Sequence, residues 1–186
     1  LIGRPAVIEH RLEKAKLRIK PGVDFDVVNP ESDERYRECW MAYHKLMVRR
    51  GVTPAIAKEK LRRKPTVIGA MLLRLGYADG LLCGMTGEYM HHLGVISQLI
   101  GKRPGVNSLA AMNYLMLPGR SLFLCDTHIN ENPTSEEIVE MTLMAAEEVR
   151  RFGITPKVAL LSYSNFGSRK TVSALKMREA RRLIAE

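Results

Sequence analysis

Residues 121–134 read Ser121-Leu122-Phe123-Leu124-Cys125-Asp126-Thr127-His128-Ile129-Asn130-Glu131-Asn132-Pro133-Thr134. An apolar run that stops at a polar loop predicts a strand with its loop at the carboxyl end, where open α/β sheets bind ligands. Thr134 with Glu137 spells a T-x-x-E capping box, so a helix is expected to begin there. Ile138, Met141, Ala145, Val149 and Phe152 recur at helical spacing, and Gly153 is placed to end the helix. Val158-Ala159-Leu160-Leu161 predicts the next strand, which runs into Ser162-Tyr163-Ser164-Asn165-Phe166-Gly167-Ser168. The pattern is a βαβ unit with two polar loops at one end.

Upstream, Ala78-Asp79-Gly80-Leu81-Leu82-Cys83-Gly84 predicts another strand, opening into Met85-Thr86-Gly87-Glu88. A glycine at a strand end lets backbone N–H groups approach a ligand, and the following helix start favours an anion. Three features in this order carry a resemblance over essentially the whole chain: A-D-G-L-x-x-G, then D-x-x-I-N-x-N-P-T-x-E-E, then F-G-I-T-P-K-V-A-L-L-S-Y-S followed by G-S. The chain resembles the phosphate acetyl/butyryltransferase family. The S-Y-S-N-F-G-S spelling is similar to the phosphotransacetylase-like domain of large bacterial NADP-dependent malic enzymes.

The resemblance implies a three-layer, mostly parallel sheet of the isopropylmalate dehydrogenase-like type, here as a truncated two-lobed domain. The first lobe is expected over residues 1–104, incomplete at its start, and the second over 105–186, incomplete at its end. The breaker-rich Gly101-Lys102-Arg103-Pro104-Gly105 separates them. The resemblance also implies a ligand, acyl-coenzyme A or phosphate, near Gly84, Thr86, Asn130, Asn132, Ser162, Ser164, Gly167 and Ser168. The competing reading is that the asparagines cap local turns and the serines cap the last helix.

Family members move an acetyl group between phosphate and the thiol of coenzyme A, which needs cations on the acyl phosphate and a base for the thiol. Matching Cys83-Gly84 to the family's S-G puts Gly94 where an arginine is expected and Gly87 where a histidine is expected. A second family arginine matches Met47, with Arg49 and Arg50 as shifted substitutes. The family's D-L-S-R motif and its later aspartate have no counterpart before Glu186. No catalytic residue is therefore assigned. The expectation is a domain that binds acetyl-coenzyme A as an effector within a malic enzyme polypeptide, whose NADP and divalent metal bind outside these residues. A working acyltransferase and a ligand-free dimerisation domain are the alternatives, and a homo-oligomer is expected.

Composition agrees with a cytoplasmic globular domain. The 186 residues are 46% hydrophobic and carry a net charge of +9 from 29 Lys and Arg against 20 Asp and Glu. The basic residues are spread over helices, as in Lys58, Lys60, Arg62, Arg63 and Lys64. They read as solvated faces or as the complement of a nucleoside phosphate, and nucleic acid is not expected. No apolar run approaches the ~20 residues of a membrane helix. Cys39, Cys83 and Cys125 lie outside any C-x-x-C and are expected to be buried thiols. His91-His92 suggests a metal only superficially, because adjacent helical residues point apart; no metal site is expected. His128 reads either as an acid or base or as a hydrogen-bonded structural residue.

Outside the βαβ unit, Ala6-Val7-Ile8 and Phe25-Asp26-Val27-Val28 are expected as short strands. Ser32 is expected to cap a helix with Tyr36, Trp40, Tyr43 and Met47 on its apolar side. Helices are expected after Thr53-Pro54, after Pro65, over 88–100 and over 173–185. A hairpin is expected around Pro118-Gly119.

Overall fold

The computed structural model describes residues 1–186. It divides into two compact units, Leu1–Gly101 and Lys102–Glu186.

The first unit is helical: α1 Pro5–Lys14, α2 Tyr36–Met47, a single 3-10 turn Val48–Arg50, α3 Pro54–Arg63, α4 Pro65–Arg74 and α5 Tyr89–Leu99. Local chemistry explains the boundaries. Thr53 accepts the Ile56 N–H in front of Pro54, and Gly51 and Gly76 follow their helices at φ +78° and +81°, where a side chain would be strained. The α2 stripe packs as its spacing demands. Tyr43 and Met47 are buried with Cys39, Ala57, Leu61, Ile68, Met71 and Leu99, while Tyr36 and Trp40 lie half-buried against the same cluster.

Part of the basic charge covers this aromatic stripe. Lys58 Nζ lies 4.7 Å from the centre of the Trp40 ring and the Arg62 guanidinium 5.1 Å from that of Tyr36. Each such contact contributes on the order of 0.5–1 kcal/mol at an exposed site.

The second unit consists of an antiparallel hairpin, β1 Met112–Leu117 with β2 Arg120–Cys125, followed by α6 Ser135–Arg151 and α7 Val172–Ala185. Tyr114 pairs with Phe123 across the hairpin, their rings 4.7 Å apart, and Phe152 packs on both at 5.4 Å. The Thr134–Glu137 capping box is present in both directions. Ile138, Met141 and Ala180 form the buried centre between α6 and α7. Two α6 carboxylates hold the segment before the hairpin. Glu140 accepts the Asn107 and Ser108 N–H groups, and Glu147 receives Arg103 in a two-pronged pair at 3.0 and 2.6 Å.

Several expectations are corrected. Residues 6–8 lie in α1 rather than in a strand, because Pro5 occupies a first helical turn, where its missing N–H costs nothing. Residues 25–28 make only isolated bridges, Ile2 to Val28 and Pro21 to Phe25. Ser32 bonds the Asn29 side chain instead of capping α2, which starts at Tyr36. Residues 78–84 and 158–161 are not strands, and the sheet here is the two-stranded antiparallel hairpin. A strand is defined by its partner, and a parallel one needs a neighbour brought alongside by a crossover. Cys83, on the unpaired 78–84 segment, and Cys125, at the end of β2, are exposed; Cys39 alone is buried.

Candidate functional site

The expected ligand residues fall on three loops, one in the first unit and two in the second. They differ in what their polar atoms already do.

The loop after β2 is organised by Asp126. One carboxylate oxygen accepts the backbone N–H groups of Ala111 at 2.9 Å, His128 at 3.2 Å and Ile129 at 3.3 Å. The other accepts both the backbone N–H of Asn130 at 2.7 Å and its side-chain amide at 2.5 Å. Burial alone would raise this carboxyl's pKa. The donors from Ala111, His128 and Asn130 outweigh it and hold the group below its ordinary value. Asn130 spends its remaining amide hydrogen on the Leu109 carbonyl at 2.7 Å. Asn132 accepts Lys176 Nζ at 2.6 Å, and the same ammonium bonds the Pro133 carbonyl at 2.7 Å. Both asparagines are therefore engaged within the protein.

The serine loop is built differently. The Ser164 N–H bonds the Ser162 carbonyl at 2.7 Å, and the Ser168 N–H bonds the Asn165 carbonyl at 3.0 Å. Inside the second turn Phe166 and Gly167 stand at φ +50° and +72°, a left-handed pair that only glycine adopts without cost. The Ser164 hydroxyl accepts the Arg169 N–H at 3.1 Å and keeps its own proton to donate. Tyr163 and Phe166 point outward, 80% and 110% exposed. The Arg169 guanidinium lies 4.8 Å from the Tyr163 ring centre, and Arg178 donates to the Arg169 carbonyl while running past Gly167.

Lys176, Arg178 and Arg169 are contributors that reading the residues did not single out. Lys176 and Arg178 stand two positions apart on α7, a spacing that sends side chains to opposite sides of a helix. One reaches the Asn132 loop and the other the serine loop. The serines do not cap α7; Thr171 does, accepting the Ala174 N–H.

In the first unit, Gly84 and Gly87 stand at φ +102° and +95°, so the segment between them takes a course closed to other residues. The Thr86 carbonyl lies 2.7 Å from His92 Nε2, and His92 Nδ1 lies 2.8 Å from the Thr66 hydroxyl. The His91 and His92 rings meet edge to face at 5.9 Å. Nowhere do three His, Cys, Asp or Glu side chains gather so as to hold a metal ion. No helix is long and apolar enough to cross a membrane.

Comparison with known proteins gives this geometry a context. The family model described as phosphate acetyl/butaryl transferase matches residues 1–186. The chain is 53% identical over its full length to the NADP-dependent malic enzyme of Haemophilus influenzae, of which it covers 25%. It is 32% identical over 168 residues to the phosphate acetyltransferase of Nitratidesulfovibrio vulgaris, covering 89% of this chain and 24% of that one. A solved phosphotransacetylase from Staphylococcus aureus superimposes with a TM-score of 0.81 at 26% identity, over 99% of this chain and 54% of the other. The chain thus spans about a quarter of the length of the curated relatives it matches.

Proposed function

Because this chain belongs to the phosphate acetyl/butaryl transferase family, we propose that it serves as a regulatory and assembly module of a malic enzyme polypeptide. In this reading it binds acetyl-coenzyme A and does not transfer the acetyl group. The malic enzyme context is supported by the higher identity to that enzyme than to an acetyltransferase.

The observation that carries the non-catalytic part is the burial of Met47. The resemblance matches it to a family arginine, and its side chain is 5% exposed inside the α2–α4 core. A thioether there offers no charge to an acyl phosphate. Gly94, matched to the other arginine, has no side chain at all, and an added Cβ would meet nothing within 4 Å. Loss of one such electrostatic contact costs roughly 10²–10³ in rate, so loss of two extinguishes turnover unless Arg49 or Arg50, both exposed, stands in for Met47.

The serine loop of the second unit and, as a separate candidate, the Gly84–Thr86 segment of the first are the ligand contacts in this reading. Ser162, Ser164, Gly167 and Ser168 offer hydroxyls and close backbone approach, and Arg169 and Arg178 supply positive charge beside them. The chain groups no side chains suited to a divalent metal. The NADP and metal chemistry of malate oxidation belongs, on this reading, to the remainder of a longer, cytoplasmic polypeptide. Asn130 and Asn132, spent on Asp126, Leu109 and Lys176, specifically favour a second reading, a ligand-free dimerisation domain.

Calorimetric titration of the full-length polypeptide with acetyl-coenzyme A separates the two, with an assay for acetyl phosphate formation alongside. Saturable binding without acetyl phosphate is expected. A turnover above ~1 s⁻¹, the low end of ordinary enzymes, overturns the non-catalytic reading. Absence of binding, with a dimer in light scattering, leaves the scaffold.

A further inference from the structure

We propose that His92 is a positioning residue that holds the Gly84–Gly87 loop in shape by tying the Thr86 carbonyl to α4; its bearing on ligand binding rests on the reading that this loop contacts acetyl-coenzyme A. The loop has little else to hold it. No backbone–backbone hydrogen bond engages residues 78–87. Leu82 and Met85 are 101% and 98% exposed, so burial does not hold the segment between its anchors.

Two discrete contacts fix its ends. Leu81 fills the notch left on α4 by Gly69; a Cβ on that glycine would lie 2.6 Å from Leu81 Cδ1. At the other end stands His92, on the first turns of α5. The Thr86 carbonyl can only accept, so His92 Nε2, 2.7 Å away, carries a hydrogen and donates it. In that tautomer Nδ1 accepts from the Thr66 hydroxyl at 2.8 Å, on the first turn of α4. The imidazole thus bridges α4 to the loop through both nitrogens. It also occupies the space beside Gly87, where an added Cβ would come within 3.1 Å of Nε2. Glycine at 87 serves the backbone at φ +95° and leaves room for this bridge.

Two substitutions separate a tether from general packing. His92→Gln sets an amide nitrogen near the Nε2 position and keeps a donor for Thr86. His92→Asn sets its polar atoms near Nδ1, keeping Thr66 and losing Thr86. Each variant of the full-length polypeptide is subjected to limited chymotrypsin digestion, with cuts between Leu82 and Tyr89 mapped by mass spectrometry, and to titration with acetyl-coenzyme A. The Asn variant is expected to be cut severalfold faster there and to bind about three- to tenfold more weakly, one hydrogen bond's worth, with the Gln variant close to wild type in both. Wild-type cleavage in the Asn variant overturns the tether. Faster cleavage with unchanged acetyl-coenzyme A affinity keeps the tether and overturns the loop's part in binding. Absence of binding by the wild type overturns the ligand reading and leaves the tether to be judged on cleavage alone.

Discussion

The two polar loops of the second unit look alike as strings and behave differently as structures. D-T-H-I-N-E-N-P-T and S-Y-S-N-F-G-S are both runs of small polar residues following apolar segments. In the first, one half-buried carboxylate collects four backbone N–H groups and an amide, and both asparagines are committed to the protein. In the second, the loop is shaped by two tight turns and a left-handed Phe-Gly step, and it turns Tyr163 and Phe166 outward beside two arginines. Residue type says that a loop can bind something; the hydrogen-bond ledger says whether its groups are already taken. The first loop is a lock, and the second is the ligand contact of the proposed reading.

The largest effect that tests this contrast is expected at Asp126. Asp126→Ala leaves the Ala111, His128, Ile129 and Asn130 donors without their acceptor and should cost about 2–4 kcal/mol of stability, read as a shift in denaturant midpoint. The carboxyl's folded pKa lies below its unfolded value of ~3.9. Its contribution is therefore fully present above about pH 4 and is lost as pH falls through the lower folded value. Asp126→Asn should flatten the acid limb of the stability curve below pH 4. An unchanged acid limb would show that the lock does not depend on charge.

Gly167→Val comes next. A β-branched residue at φ +72° costs roughly 1–2 kcal/mol, and the reshaped turn should weaken acetyl-coenzyme A binding well beyond the stability loss. Wild-type affinity in this variant would move the ligand away from the serine loop.

The smallest effects form the sharpest pair. Asn132→Ala, which removes one of the two acceptors of Lys176, should cost roughly 0.5–1.5 kcal/mol in stability and leave acetyl-coenzyme A affinity unchanged. Ser164→Ala should do the reverse, lowering affinity up to about tenfold with a small change in thermal midpoint. If both variants behave alike in calorimetry and melting, the two loops play one role and the contrast fails.

Much of the framework was legible in the residues because it is local. The Thr134–Glu137 box, Thr53-Pro54, the Pro118-Gly119 hairpin and the terminating glycines at 51, 76 and 153 depend on neighbours a few positions away. The Tyr36, Trp40, Tyr43, Met47 stripe was legible because helical period alone puts those side chains on one face. The same period leaves Cys39 to the core and says nothing of Cys83 or Cys125, which lie outside the helices.

What the sequence determined by itself, then, is where α3 to α7 begin, which faces the helices bury, and the three spaced motifs that carry the family likeness. Only the tertiary structure decided that residues 78–84 and 158–161 carry no ladder here, since an apolar run becomes a strand only when another backbone bonds to it. It also decided that Asp126 is a five-donor acceptor, that Lys176 and Arg178 serve two different loops, and that His92 bridges Thr66 and Thr86. Apart from the His92–Thr86 bond and the bonds within the Asp126 loop, those ties join residues 9–44 positions apart. A hydrogen bond across such a gap depends on packing that no local pattern encodes.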